Sequence, residues 1–285
     1  MVAIAIASNS IGAQSTIPRV LEDNVLMSAD SLTYDEETAC QGAPIMLEEL
    51  KKRNVKCSIC IVGEPTSMKA VQAHKGCYEY STYFTGLAGH GSAPDKGVNA
   101  VEYASLYINK LMELREELKK REPKNSVFTP PYSTLQIGGI RGGLARNVIA
   151  DQCTVDWEMR PVIPEDGEFV NQNIETYVKD ILLPEMRKVY PKSSIKKEII
   201  GEIVGFAKEE KSDAINLVCN LTGDNSKDVV SFGTEAGLFQ ELGISTVVCG
   251  PGSIEQAHKI DEFVSFEQLK KCLDLLIKIN NFAKN

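Results

Sequence analysis

The order of secondary-structure patterns between residues 77 and 204 constrains the fold of this chain more than any other feature of its sequence. Strand-like segments there are rich in aromatic and β-branched residues, whereas helical segments space apolar residues three and four positions apart. In order they are strand 77–86, helix 99–120, strands 132–140 and 153–162, helix 168–189, which Pro184 interrupts, and strand 194–204. The order β-α-β-β-α-β predicts a compact ferredoxin-like module.

The sequence on either side of this module predicts an α/β domain. Residues 25–32 and 57–62 have strand patterns, and Pro44 suits the first turn of a helix that lies between them and ends near Arg53. Beyond the module, the patterns predict helices at 213–221 and 233–243, a strand at 245–250 and a last helix from Ser265. We therefore predict an α/β domain at 1–74 and 205–285, interrupted by the inserted module at 75–204.

Charge and hydropathy exclude several classes of protein. Lys and Arg number 31 against 39 Asp and Glu, a net charge of −8 that argues against nucleic acid or an anionic membrane as the main partner. There is no apolar run of roughly 18–20 residues that would span a bilayer. The apolar start MVAIAIAS lacks the basic residues of a signal peptide, so we expect a cytoplasmic protein with eight free cysteines.

Carboxylate and imidazole side chains follow three of the predicted strands. Glu36 and Glu37 follow the first strand, Glu64 follows the second within GEPT, and His258 follows the strand at 245–250. Ligands of open α/β sheets bind beyond the carboxyl ends of the strands, and zinc accepts this mixture of ligands. Because the side chains of adjacent glutamates diverge, the pair predicts one metal ligand and one general base.

Each of these features also has an ordinary structural interpretation. Acids before a helix stabilise its dipole, Glu64 lies in a sequence typical of turns, and a single loop histidine is seldom a ligand. His90, in the glycine-rich TGLAGHGSAPDKG, fits an exposed flexible loop, and His74 fits a hinge or packing residue. Arg146 and Arg160, near the glycine-rich segment 138–147, could hold a carboxylate.

Five segments together resemble the dinuclear zinc aminoacylase and carboxypeptidase family, in the right order and over essentially the whole chain. They are YDEETACQGA, VGEPTSMKAVQAHKG, GHGSAPDKGVNAVEY, GLARNVIADQCTVDWEMRP and SFGTEAGLFQELGISTVVCGPGSIEQAHKIDEFV. The last segment is more similar to the acetylornithine deacetylase branch than to the succinyl-diaminopimelate branch. The resemblance implies a phosphorylase/hydrolase-like zinc peptidase catalytic domain with an inserted ferredoxin-like dimerisation domain.

The resemblance also implies a role for each matching residue. Glu36 resembles the general base, Glu64 a ligand of the first zinc, and Glu37 and His258 ligands of the second. His90 resembles a histidine that a dimer partner lends to stabilise the oxyanion. Asn147, Arg160 and Thr234 match positions that contact substrate. The implied enzyme is a homodimer with two zinc ions per subunit, which cobalt can replace, and it hydrolyses a small N-acetyl amino acid, N2-acetylornithine, in arginine biosynthesis.

The resemblance has one departure, at the start of the chain. The family carries a His-x-Asp motif and a later bridging Asp, whereas the three histidines here are His74, His90 and His258. MVAIAIAS resembles the helix after that bridging Asp, so we expect an N-terminally truncated form with an incomplete metal site. Without cations, repulsion among the acids at 35–37 predicts a mobile or rearranged loop. A non-catalytic dimerising or binding protein, and a related deacylase such as succinyl-diaminopimelate desuccinylase or a dipeptidase, stay open as alternatives.

Overall fold

A computed structural model of the chain describes residues 2–8, 28–34, 40, 42–54, 57–257 and 259–283, with the backbone alone at 2–8, 28–34 and 283. The chain divides into two compact units, unit 1 (Met1–Lys75 with Ile203–Asn285) and unit 2 (Gly76–Glu202). The divisions fall at 75/76 and 202/203, compared with the expected 74/75 and 204/205. None of the helices in the described ranges has the length and apolar character needed to cross a membrane.

The strands and helices are numbered in chain order. The strands are β1 (Val2–Ser8), β2 (Ser28–Tyr34), β3 (Ile59–Val62), β4 (Ala70–His74), β5 (Cys77–Thr85), β6 (Gly89–His90), β7 (Thr134–Gly142), β8 (Val148–Ile149), β9 (Gln152–Arg160), β10 (Ser194–Ile203), β11 (Lys227–Val230) and β12 (Ser245–Val248). The α-helices are α1 (Gly42–Lys52), α2 (Ala100–Lys120), α3 (Pro164–Tyr177), α4 (Leu183–Val189), α5 (Asp213–Thr222), α6 (Ala236–Glu241) and α7 (Phe266–Ala283).

Unit 1 contains a sheet of six strands in the order β11-β4-β12-β3-β1-β2. The pairs β2/β1, β1/β3 and β3/β12 are parallel. The carboxyl ends of these four strands therefore lie at one edge of the sheet, which is where open α/β sheets bind ligands. β4 pairs with β12 in the antiparallel direction and with β11 in the parallel direction.

The prediction of a helix within MVAIAIAS is wrong, because residues 2–8 form the strand β1, which lies between β2 and β3 in the sheet. Val and Ile alternate with Ala in this segment. A two-residue period suits a strand, whereas a helix repeats every 3.6 residues. β-branched residues at every second position also favour the extended backbone.

Helices cover both faces of the unit 1 sheet, as the alternation of side chains along β3 and β12 shows. Ile61 and Val247 pack with α5 and α7, through residues such as Leu275. Their neighbours on the strands pack instead with α1 and α6. Those neighbours are Cys60, Val62 and Val248, all of which are buried. Both faces are therefore covered, as is usual for parallel strands that consist of near-continuous apolar residues.

Unit 2 confirms the ferredoxin-like module. Its main sheet has the order β10-β5-β9-β7, and β9 pairs with both β5 and β7 in the antiparallel direction. Alternate residues of β5 and β9 are buried beneath α2 and α3, including Tyr80 and Trp157, whose rings stack with centroids 4.3 Å apart. α2 begins after Asn99, whose side chain accepts a hydrogen bond from the Val101 N–H.

The predicted interruption by Pro184 takes the form of a short π-helical segment, Val178–Leu182, between α3 and α4. The N–H of Leu183 donates to the carbonyl of Val178, five residues earlier. Proline has no N–H to donate, so the helix before it adopts a wider hydrogen-bonding pattern and continues. The first helix of this pair begins at Pro164, four residues before its predicted start.

Candidate active site

Two loops at the carboxyl edge of the unit 1 sheet are fastened to each other. One follows β3 and contains Glu64, and the other follows β12 and contains Gly250. The Gly250 N–H donates to the Thr66 hydroxyl oxygen at 3.1 Å, and the Ser67 N–H donates to the Gly252 carbonyl at 2.6 Å. The structure therefore joins the loop of Glu64 to the loop that continues towards His258.

The contact between these loops needs a glycine at position 250. A Cβ atom there would lie 2.6 Å from the Glu64 carbonyl oxygen and 3.0 Å from its nitrogen. In the loop that contains Glu64, Ser67 and Met68 have φ angles of 57° and 64°, in the left-handed region that residues other than glycine seldom adopt. Strained backbone of this kind is concentrated at functional sites in proteins, which supports a functional role for this edge.

Three of the predicted site residues lie outside the described residues: Glu36, Glu37 and His258. The described strand β2 ends at Tyr34, just before the acidic segment, and it is parallel to β1 and to β3 beyond it. Glu64 is half-buried directly after β3. The expected mobility of the loop at 35–37 also concerns residues outside those described.

Zinc accepts carboxylate and imidazole ligands, so the predicted set of Glu37, Glu64 and His258 suits the ion chemically. Of this set, the structure describes Glu64. Within the described ranges, no three His, Cys, Asp or Glu side chains lie close enough together to hold a metal ion. The described chain thus contains one carboxylate of the predicted set, and the whole set, Glu64 included, stays a prediction.

In unit 2 the structure brings two predicted site residues together, His90 and Asn147. His90 belongs to β6, which pairs with β8 so that His90 faces Val148. The Gly91 N–H donates to the Asn147 carbonyl at 2.8 Å. Both His90 and Asn147 are exposed. They form one exposed patch, which we call the His90–Asn147 patch.

The hydrogen bonds of His90 define where its imidazole carries its hydrogen. The Ser92 backbone N–H donates to Nδ1 at 3.2 Å, and the Ser92 hydroxyl lies 2.7 Å from the same atom. A backbone N–H can only donate, so Nδ1 accepts, and the hydrogen of the neutral ring is on Nε2. The exposed ring therefore offers a hydrogen-bond donor at Nε2.

Arg160 lies at the other end of the unit 2 sheet from the His90–Asn147 patch. β5 and β9 pair from Thr85 and Gln152 at the patch end to Tyr78 and Met159 near Arg160. The eight residue steps from 152 to 160 correspond to about 26 Å at the usual rise of a strand. Arg160 is half-buried, and its guanidinium donates to Glu158 at 2.7 Å. A single copy of unit 2 therefore does not bring Arg160 and this patch together.

The Thr234 side chain is fully buried and is bonded to His74. Its hydroxyl lies 2.9 Å from His74 Nε2 and also accepts a hydrogen bond from the Ala236 N–H at 3.1 Å. The structure thus engages the Thr234 hydroxyl inside unit 1, instead of presenting it at the surface. His74, considered a hinge or packing residue, is its partner across 160 positions of sequence.

Sequence reasoning missed the contacts of Thr66 with Gly250 and of Ser92 with His90, and it gave His74 only as a hinge or packing residue. Ser92 lies two positions after His90, and Thr66 lies within GEPT, so short-range turn motifs could have indicated both. Nothing in the local sequence links His74 to Thr234.

Comparison with known proteins agrees with this architecture. Residues 72–186 match the peptidase dimerisation domain of the M20 family. Acetylornithine deacetylases from Pasteurella multocida and Erwinia tasmaniensis are each 34% identical to it over 247 residues, 87% of this chain. The central part of the chain is therefore an M20 dimerisation domain. The chain spans 62% of the length of these curated relatives.

Solved structures share the M20 fold at low sequence identity. The structure of aminopeptidase PepT from Bacillus cereus superposes with a TM-score of 0.67 at 16% sequence identity. The match covers 99% of this chain and 81% of the PepT chain. The structure of human carnosine dipeptidase 1 superposes with a TM-score of 0.63 at 11% sequence identity, and the match covers 90% of this chain and 67% of the dipeptidase chain. These matches confirm the predicted α/β fold with its inserted dimerisation domain.

Proposed function

We propose that this chain acts as a metal-dependent deacetylase that hydrolyses N2-acetylornithine to ornithine and acetate, in cytoplasmic arginine biosynthesis. The observation that carries the proposal is the 34% identity to acetylornithine deacetylases over 87% of the chain. The fastened loops at the carboxyl edge of unit 1 support it, because they bring the loop of Glu64 beside the loop that leads to His258.

In this proposal Glu64 binds one zinc ion, Glu37 and His258 bind a second, and cobalt can replace zinc. The bound metal would supply positive charge that polarises the amide carbonyl and acidifies a water molecule. Glu36 accepts the proton of the attacking water as the new C–O bond forms, and it then delivers this proton to the leaving amine nitrogen as the amide C–N bond breaks.

The His90–Asn147 patch would act on the substrate of a second copy. The Nε2–H of His90 is a suitable donor to the oxyanion that develops on the amide carbonyl. Arg160, which we propose binds the substrate carboxylate, lies at the opposite end of the unit 2 sheet. Two copies are therefore needed if these residues serve one site, which agrees with the match to a dimerisation domain. Thr234 would act on the substrate indirectly, by holding the loop before α6.

The test is hydrolysis by the purified chain supplied with Zn²⁺. We expect turnover of N2-acetylornithine in preference to N-succinyl-diaminopimelate and N-acetylmethionine, and its loss on chelation. Glu64→Gln should abolish turnover, whereas Glu241→Gln, at an exposed position on α6, should leave it unchanged. Failure of the zinc-loaded chain to hydrolyse any of these amides would contradict the proposal.

A second candidate is a non-catalytic protein that dimerises through unit 2. The observation that favours it is the match of residues 72–186 to a dimerisation domain. This candidate predicts a stable dimer by light scattering, with no hydrolysis and weak zinc binding by calorimetry. A monomeric mass would count against it.

A further inference from the structure

We propose that Ser92 is a positioning residue that keeps the His90 imidazole in its Nε2–H form, an inference that rests on the proposed role of His90. Both hydrogen-bonding groups of Ser92 converge on one ring nitrogen. The hydroxyl oxygen lies 2.7 Å from His90 Nδ1, and the backbone N–H donates to the same atom at 3.2 Å.

The chemistry of these two groups determines the tautomer. The backbone N–H cannot accept a hydrogen bond, so it stabilises the form in which Nδ1 has a free lone pair. The hydroxyl can donate to that lone pair through its shorter contact. Together they leave the ring hydrogen on Nε2, the nitrogen that Ser92 does not contact. In the opposite tautomer, Nε2 would present a lone pair, which repels an oxyanion instead of binding it.

The backbone around the ring is held in place independently of these contacts. The Ala93 N–H donates to the His90 carbonyl at 2.9 Å, and the Gly91 N–H donates to the Asn147 carbonyl at 2.8 Å. A Cβ atom on Gly91 would lie 3.0 Å from that carbonyl oxygen, so the two segments approach closely. The loop is therefore positioned by its backbone, and the Ser92 hydroxyl is left to orient the ring.

Ser92 can be substituted with little risk to the fold, because its side chain is exposed. Ser92→Ala removes the hydroxyl and keeps the backbone N–H, and Ser92→Thr keeps both groups. Ser105→Ala is the matched control, since Ser105 is an exposed serine whose hydroxyl bonds to the Val101 carbonyl within α2.

The experiment is ¹⁵N NMR of the full chain labelled at histidine, which has three ring systems to assign. In the unsubstituted chain, His90 should show the Nε2–H form. His74 provides an internal reference with the opposite form, because its Nδ1 faces the Lys75 carbonyl at 2.8 Å, and a carbonyl can only accept. Ser92→Ala should raise the Nδ1–H fraction of His90 and of no other histidine. Ser92→Thr should give the same Nε2–H form as the unsubstituted chain, and Ser105→Ala should leave all three rings unchanged.

Kinetics provide a second readout. Loss of one hydrogen bond to the ring should lower kcat for N2-acetylornithine about 2- to 10-fold in Ser92→Ala, with KM little changed. Any of three results would overturn the inference. His90 could show the Nδ1–H form in the unsubstituted chain, its ring nitrogens could be unaltered by Ser92→Ala, or Ser92→Thr could fail to keep the Nε2–H form. If the chain hydrolyses no amide while the NMR results are as expected, the proposed function fails and the positioning of the ring by Ser92 stands.

Discussion

The imidazole Nε2 of His74 accepts a hydrogen bond from the hydroxyl of Thr234, with the two atoms 2.9 Å apart and both side chains buried. The direction follows from the other ring nitrogen, which must donate to the Lys75 carbonyl. The Thr234 hydroxyl also accepts from the Ala236 N–H. This chain of hydrogen bonds connects the end of β4 with the start of α6 inside unit 1.

Replacing Thr234 should destabilise unit 1 through this connection. Thr234→Val has nearly the same shape but leaves His74 Nε2 and the Ala236 N–H without their partner, which costs about 1–3 kcal/mol of unfolding free energy. Thr234→Ser keeps the hydroxyl and should therefore lose less unfolding free energy than Thr234→Val. Urea unfolding followed by circular dichroism measures both variants, and a Val variant as stable as the Ser variant would refute the argument.

His74 should make the stability of unit 1 fall in acid. Burial lowers the pKa of His74 from 6.5 to about 4, although the Lys75 carbonyl partly opposes this effect. Between these pH values the unfolded chain binds the proton more readily, so the stabilisation is complete above pH 6.5 and is lost as the pH falls towards 4. The difference corresponds to about 3 kcal/mol.

The variant His74→Gln tests this pH dependence, because glutamine can donate and accept hydrogen bonds but does not titrate. The fall in unfolding free energy between pH 6.5 and pH 4 should be smaller in the variant than in the unsubstituted chain. Equal slopes in urea titrations at several pH values would mean that His74 is not the group responsible.

Gly250→Ala should disturb the loop of Glu64. The new methyl group would lie 2.6 Å from the Glu64 carbonyl oxygen, which is backbone and can yield only if the loop moves. We expect a loss of about 1–3 kcal/mol in unfolding free energy, the usual cost of overpacking. In the control Gly138→Ala, the nearest atom would be 3.7 Å away, so stability should be unchanged or raised by up to about 1 kcal/mol. Similar midpoints for the two variants in thermal unfolding would argue against a close-packed junction.

Asp166 should contribute more to the stability of unit 2 than the ion pairs on the surface of that unit do. Its buried carboxylate accepts hydrogen bonds from Arg121 Nε at 2.7 Å and from the Ser133 hydroxyl at 2.5 Å. Asp166→Ala should cost about 3 kcal/mol, from two charge-assisted hydrogen bonds of about 1.5 kcal/mol each. Glu185→Ala removes the exposed ion pair with Lys188 and should cost less than about 1 kcal/mol.

Fluorescence of Trp157, the one tryptophan of the sequence, reports the unfolding of unit 2 for both variants. Equal losses of stability in Asp166→Ala and Glu185→Ala would contradict this account.

The sequence predicts unit 2 well because its signals are local. The alternation of buried residues along β5 and β9, and the apolar spacing of α2, are each contained in a single segment. Two strands of unit 1, β4 and β11, have no such signal. Each is short and contains polar residues, and both are strands because they pair with each other and β4 also with β12. The propensity of a short segment is decided by its neighbours in space.

The candidate site could be predicted only in part, for a related reason. Strand ends of a parallel sheet lie at one edge, so the position of Glu64 follows from the pattern of strands. The pairing of His74 with Thr234 depends on tertiary structure over 160 positions of sequence, which no local pattern encodes. The separation of Arg160 from the His90–Asn147 patch likewise becomes evident only when the pairing of β5 with β9 is known.

The most direct test of the account is complementation between two inactive variants, Glu64→Gln and His90→Ala. If one copy supplies His90 to the site that contains Glu64 of the other, a mixed dimer has one intact site. Co-expression of the two variants should then restore N2-acetylornithine hydrolysis to about a quarter of the unsubstituted rate, since half of the dimers are mixed and each has one of two sites intact. Two inactive variants that stay inactive when co-expressed, although mixed dimers form, would contradict the shared site.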